Sequence, residues 1–423
     1  MRKFIIALGA LAAGLPCVAQ AEDKPLVGLA PLWVVQASAP VQASQAGDAP
    51  LRVLLQDQQI WFHGGVTSLY QHRILRVDRP EGLQSMQRLS VQWRPDSDRL
   101  TIHAFRLTRS GRQNDLLSAV QDVLTHRTIH YGGLRMDGQR SLGLPIAGMQ
   151  VGDVVEIAYS IDRSEPLLGG HHELSLDAGT RGGIDRLMLA ARWDGDVAMS
   201  VAGRNLPAPL AQTPGRVQLM TDEPLGESKA ARSIEFSDFR QWGDVASLFV
   251  PLFAEARRSI DGSPIRAEAE RIAALTPDPA RRVALALELV RERVKYLYVG
   301  LGEGNLRPMP ADMVWQRGFG DCKGKAALML SMLDALGIKA EAALVATRGG
   351  EALDRRLPAL GGFDHVIVRA ELDGRVVWLD PTLEGEGASP RFGWALPVHR
   401  GAGLEPMGTV LTIARLNKVA RNP

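Results

Sequence analysis

Apolar and polar positions alternate along the first half of the chain and recur at helical spacing along the second. "RLTIHAFRLTRSG" (99–111) and "QVGDVVEIAYSIDRS" (150–164) carry the period of two that a half-buried strand requires. "LRVLLQDQQIWFHGG" and "GGIDRLMLAARWDGDVAMSVAG" show it more loosely, between Gly, Asp and Pro punctuation. Within this half only "QNDLLSAVQDVLTH" reads as a helix, and neither an internal repeat nor a low-complexity tract interrupts the pattern. Inside "EPLGESKAARSIEFSDFRQWGD" alternation gives way to helical spacing, which places a domain boundary near residue 240 and an exposed, protease-sensitive segment at Phe236 to Gly243.

Beyond that point "DVASLFVPLFAEARRSI" and "SPIRAEAERIAAL" read as helices. The clearest is "DPARRVALALELVRERVKYLYV", with Pro279 in the first turn and Val283, Leu287, Val290 and Val294 on one stripe. A loop, "GLGEGNLRPMPADM", leads to one more helix and then to strands, an α+β plan. The whole is expected to be multidomain, an all-β N-terminal domain (22–240) followed by an α+β domain (241–423). The tail "PMGTVLTIARLNKVARNP" begins what reads as another strand and stops, leaving open a further β domain.

The N-terminus changes the reading of everything after it. Arg2 and Lys3 precede an apolar run from Phe4 to Val18, and Ala19-Gln20-Ala21 is a small-x-small cleavage site. Residues 1–21 therefore read as a secretory signal peptide, and the mature protein as periplasmic or secreted. Leu15-Pro16 before Cys17 argues against a lipid-anchored alternative. No later stretch has the length of uninterrupted apolar residues that a membrane span needs, so the mature chain is expected to be soluble. Loss of Arg2 and Lys3 lowers the 49 basic residues to 47, level with the 47 acidic ones. That balance gives no support to a nucleic-acid partner.

Cleavage also removes Cys17 and leaves a single cysteine, Cys322. In an oxidising compartment cysteines usually pair, so a lone one is either a working thiol or an inert packed one. Its surroundings favour the first. In "GFGDCKGKAALMLSMLDALGIKAEAALVAT" the apolar stripe Ala326, Leu330, Leu333 and Leu336 marks a helix, with Gly337 at its C-terminal cap. Cys322 then lies in the first turn, where unpaired N–H groups and the helix dipole favour a thiolate. Asp321 reads as the helix cap, Lys323 and Lys325 as nearby positive charge, and the flanking glycines as open approach to the sulfur.

A nucleophilic thiol needs a base, and the base an orienting group. "GGFDHVIVRAELDGRVVWLDPT" reads as a hairpin: a strand His365 to Leu372, an Asp373-Gly374 turn, and a strand Arg375 to Pro381. With Leu372 opposite Arg375, His365 falls opposite Thr382. Asp380, two positions away, then shares a face with His365 at a diagonal spacing of roughly 7–8 Å. The register thus pairs His365 with Asp380 and leaves the other ring nitrogen for Cys322.

At these residues the sequence resembles a family. "GDCKGKAALMLSMLDALGIKAEAALV", "FDHVIVRAELDG" and "VVWLDPT" together are similar to the transglutaminase-like core, a papain-type fold with a Cys-His-Asp triad. The resemblance spans about Trp242 to Pro397. It implies Cys322 as nucleophile, His365 as base and Asp380 as orienting acid. "SLGLPIAGMQVGDVVEIAYSI" resembles a companion domain of unknown function found ahead of such cores in exported bacterial proteins. Two positions depart from the pattern: Gly324 stands where an Asp is usual, and Asp364 where an Asn is usual. The second would put another carboxylate beside His365 and raise its pKa.

The implied function is acyl transfer on a peptide or carboxamide, to water or to an amine, with a peptide or protein substrate and no metal or nucleotide cofactor. A non-catalytic envelope scaffold that keeps the fold is the alternative, and a redox thiol lacks a resolving cysteine. "GDCKGKAA" fails as a phosphate loop at Phe319 and Ala326. His171 and His172 are adjacent and so point apart, which suits a polar loop better than a metal site. Gln316 is a candidate oxyanion donor or a surface residue, and Trp315 and Trp378 are cleft walls or core.

Overall fold

The structure, a computed structural model, describes residues 24–419 apart from 39–48, 87–88, 121–124, 128–138, 145, 179–182, 196, 222–223, 227–230, 298–305, 384–389 and 391. The expected leader lies outside the described residues. The protein is a multi-sheet, mixed α/β fold in which strands dominate the first half and helices the start of the second.

A nine-stranded sheet organises the N-terminal half. At its centre are β1 (Leu51–His63), β2 (Val66–Val77) and β3 (Val154–Arg163), paired antiparallel. Gly64 and Gly65 connect the first two with φ of 50° and 74°, the two left-handed residues that a tight hairpin turn demands. β1 alternates only loosely in sequence because both of its faces are covered. Val53, Ile60 and Phe62 join the apolar core, while Asp57 and Gln59 on the other face hydrogen-bond each other.

The stretch read as a helix at residues 113–126 is mostly something else. A turn at Ser110-Gly111, both at positive φ, folds Arg112–Asp115 back as a strand against Asp98–Arg109, and among the described residues of the stretch Leu117–Val120 is helical. With Pro80–Met86 this gives the half two short α-helices among the described residues, so it is β-rich rather than all-β. A second, small sheet holds β4 (Glu173–Asp177), β5 (Ser200–Arg204) and β6 (Ser233–Ser237), with β6 in the middle.

The chain then passes from one core to another. Phe236 belongs to the N-terminal cluster and Phe239 to the C-terminal one, and both are buried, as are Ser237 and Gly243. Only Arg240 and Gln241 are exposed here, which corrects the expected open, protease-sensitive segment.

The C-terminal half contains α1 (Trp242–Ala256), α2 (Pro264–Leu275), α3 (Pro279–Arg293), α4 (Ala311–Arg317), α5 (Cys322–Ala335) and α6 (Ile413–Val419). α3 starts where its sequence says: the Asp278 carboxylate accepts the N–H groups of Ala280 and Arg281, and the Val283, Leu287, Val290, Val294 stripe is fully buried. Each such buried branched side chain is worth about 1.5–3 kcal/mol. α5 is different. Every residue from Cys322 to Leu333 is buried, so this is a central helix packed all round. Gly337, at φ 72°, closes it with bonds from its N–H to the Asp334 carbonyl and from Ile338 N–H to Leu333.

α5 packs on an antiparallel five-stranded sheet that includes β7 (Ala340–Val345), β8 (His365–Leu372) and β9 (Arg375–Leu379). The tail opens with strand pairing, at Glu405–Pro406 and at the bridge from Val410 to Trp378, and then turns into helix α6, where Thr412 Oγ1 accepts Arg415 N–H and Leu416 is buried. A threonine cap placed before Ile413 and Leu416, one turn apart, outcompetes strand extension.

Candidate active site

Cys322 is the first residue of α5. Asp321 caps the helix, with its carboxylate accepting Gly324 N–H at 2.8 Å. The glycines on either side serve packing rather than access: a Cβ at Gly320 or Gly324 would stand 3.1 Å from the Val314 side chain of α4. Cys322 is 0% exposed, so the expected open approach to the sulfur is corrected. The two lysines are buried as well. Lys323 pairs with Asp321, and Lys325 donates to the Val294 carbonyl at 2.6 Å.

The hairpin has the expected register. Pairs run from Val368 opposite Leu379 to Leu372 opposite Arg375, and Asp373 and Gly374 both take positive φ. His365 opens β8, and Asp380 follows the end of β9 directly. His365 Nε2 lies 2.8 Å from Asp380 Oδ2. That leaves Nδ1 without Asp380, and the Cys322 side chain is close enough to raise the pKa of the imidazole. The structure therefore brings Cys322, His365 and Asp380 together.

Charge reinforces this geometry. Burial by itself disfavours the imidazolium, but the Asp380 charge and hydrogen bond, with Cys322, outweigh it and push His365 up to about 10. Burial likewise opposes ionisation of Asp380, yet His365 and two bonds from Thr382 hold its carboxyl below the usual range. Asp380 Oδ1 accepts Thr382 N–H at 2.8 Å and Oγ1–H at 2.7 Å, and Arg291 of α3 donates to the Asp380 carbonyl at 2.9 Å.

Asp364 does not bear on His365 as expected. Its carboxylate accepts the N–H and hydroxyl of Thr347, both at 2.6 Å, and caps that loop. Gln316 is exposed on α4. Trp315 and Trp378 are core residues, the first beneath the Arg293 guanidinium. His171 bonds Asp238 and His172 faces Thr67, and among the described residues no group of side chains is arranged to hold a metal.

Three contributions escaped the sequence. Thr382 had a signal, since an Asp readily bonds the backbone two residues on, as in Asp-Pro-Thr. Phe392, whose ring centre is 6.0 Å from that of His365, had none. The third comes from the small N-terminal sheet, which grips residues 355–361, the loop that leads into His365. Glu173 accepts the N–H groups of Leu360 and Gly361, and Glu235 accepts Arg356 Nε at 2.8 Å and Leu357 N–H at 3.3 Å. Ser237 donates to the Pro358 carbonyl, and Arg204 donates to the Arg355 carbonyl at 2.7 Å.

A family model described as "Domain of Unknown Function with solved-structure structure (DUF3857)" matches residues 64–204. No curated protein matches. Among solved structures, a "putative protease" from Parabacteroides distasonis is similar at 14% identity and a TM-score of 0.67, over 86% of this chain and 72% of its own; the two share a fold. A "putative cysteine protease" from Cytophaga hutchinsonii (12% identity, 50% and 75% covered) has a TM-score of 0.24. The periplasmic domain of TgpA from Pseudomonas aeruginosa (16% identity, 72% and 94% covered) has one of 0.22. Among the described residues no helix is long and apolar enough to cross a membrane.

Proposed function

We propose that this chain is an exported cysteine acyl-transfer enzyme acting on peptide or carboxamide bonds, in which a β-rich domain (22–240) precedes a transglutaminase-like, papain-type domain (241–423). The observation that carries the reading is the imidazole of His365, bonded to Asp380 at 2.8 Å and coupled electrostatically to Cys322 at a helix N-terminus. The sulfur attacks the substrate carbonyl and forms a C–S bond, while the thiol proton resides on His365. As the C–N bond breaks, that proton passes to the departing amine. Water or a second amine then displaces the sulfur, and His365 accepts a proton from the incoming group and returns it to the sulfur. Asp380 holds the ring and stabilises its charge throughout.

Iodoacetamide tests this reading. Cys322 in the mature chain should be alkylated near neutral pH faster than a model thiol, and His365→Ala should slow the reaction. Alkylation no faster than the model thiol, and unchanged in the variant, would sink the enzyme reading. One observation favours the second reading, a non-catalytic envelope scaffold: the thiol is fully buried and His365 is only 7% exposed.

A further inference from the structure

A cavity of about 490 Å³ is lined at one end by Phe319, Gly320 and Asp321, the three residues running into Cys322. Asp321 lines the cavity and caps α5 at once, so the cavity edge and the nucleophile are parts of one rigid unit. We propose that this cavity receives an apolar side chain of the peptide substrate, from the residue whose carbonyl Cys322 attacks or the residue before it. The inference rests on the acyl-transfer reading.

The chemistry of the walls selects that occupant. Leu252 and Ala256 of α1 are buried at the inner wall. Met313 of α4 and Phe319 stand at the mouth, 39% and 38% exposed, among the few large apolar side chains that the described residues leave open. Pro308 and Pro310 bracket Met309 on the remaining side and stiffen it. The methionines adapt to shapes that rigid side chains would reject. The volume falls within the ~300–1,000 Å³ of ordinary ligand pockets. Charge is present as Glu255, Arg307 and Asp321, but Asp321 already receives Lys323 and the Gly324 N–H. A charged substrate side chain would lose its hydration among apolar walls, whereas an apolar one gains by leaving water.

The test uses the full mature chain and two series of peptidyl acyloxymethyl ketones, with Leu, Phe, Gly, Asp or Lys at either position. In each, the Cys322 sulfur forms a C–S bond at the ketone methylene and the carboxylate leaves, and mass spectrometry gives the rate. In one series, Leu and Phe should react about tenfold or more faster than Gly, Asp or Lys, the scale on which apolar pockets discriminate. Met313→Glu and, separately, Phe319→Ala should shrink that preference, with iodoacetamide alkylation checking that the thiol survives. Leu275→Glu, a control at a side chain 62% exposed elsewhere, should keep it. Equal rates across both series, or a preference for Asp or Lys, with iodoacetamide still reacting quickly, would overturn the pocket and spare the acyl-transfer reading. If neither iodoacetamide nor any ketone reacted, both would fall.

Discussion

One histidine–carboxylate pair in each half of the molecule follows the same rule of sheet geometry, with opposite consequences. In the N-terminal sheet His72 sits opposite Ala158 and reaches two residues along β3 to Glu156, with Nε2 3.0 Å from Oε1. In the C-terminal sheet the β8–β9 register, extended, sets His365 opposite Thr382, and the ring reaches back two residues to Asp380 at 2.8 Å. Both imidazoles are buried. They part at the second ring nitrogen. His72 Nδ1 is buried with no hydrogen-bond partner, while Glu156 is shared with Arg106. His365 meets a thiol at the mouth of a helix. A diagonal His–carboxylate bond is thus a common product of antiparallel strands. What makes one of them a candidate for chemistry is the helix that delivers a nucleophile to it.

The sharpest way to break this comparison is to remove each imidazole. His365→Ala should lower the acyl-transfer rate by about 10²–10⁴-fold. His72→Ala should leave that rate close to wild type and show itself only in a shifted urea midpoint. Comparable rate losses in the two variants would mean the pairs are not different in kind.

The carboxylates give the next test. Asp380→Asn should cost about 10²–10⁴-fold in kcat with the fold intact, because the amide cannot stabilise the imidazolium or hold its tautomer. Asp364→Asn should cost far less, since its carboxylate caps Thr347. Measured kcat values in the reverse order would make Asp364 the orienting acid.

A smaller effect probes how far the halves depend on each other. Glu173→Gln replaces a carboxylate that accepts two backbone N–H groups with an amide that turns a donor toward one of them. It should cost about 1–3 kcal/mol in urea unfolding and slow Cys322 alkylation a few-fold, by loosening the loop that enters His365. If a fragment covering 241–423 alkylated as fast as the whole chain, the grip of the small sheet would be irrelevant to the site.

The smallest effect is a pH signature. The folded-state pKa of His365, about 10, lies above the usual imidazole value, so its pairing contributes stability in full below about 6.5. That contribution is lost as pH rises through about 10. The stability gap between wild type and His365→Ala should therefore narrow between pH 7 and pH 10 in urea titrations. Asp380, held low, contributes above the ordinary carboxylate range and loses its contribution as pH falls through its folded pKa. A gap that widened toward pH 10 would contradict the ion pair.

Much of the C-terminal half was legible because it depends on near neighbours. The buried stripe and Asp278 cap of α3, the Gly337 cap of α5 and the His365 to Leu372 strand with its Asp373-Gly374 turn all follow from local spacing and turn chemistry. Where long-range packing competes with local pattern, the reading failed. Residues 112–115 became a strand because a turn offered them an edge, and the tail became α6 because a buried site on α3 was available for Leu416. Lys323 and Lys325 read as positive charge near Cys322, but their burial was not legible, since it follows from α5 being enclosed on every side.

The sequence by itself determined the capped helices of the second half and the hairpin register, and it singled out Cys322, His365 and Asp380 as candidates, because hydrogen-bond periodicity and two-residue turns act over a few residues. The tertiary structure alone decided that α5 lies over β8 so that the thiol meets His365, that the sulfur is closed off from solvent, and that Glu173 and Glu235 hold the loop ahead of the histidine. Those contacts join residues more than a hundred positions apart in the case of the loop, and no local pattern encodes them. They exist only once the burial of two apolar cores has fixed where each sheet stands.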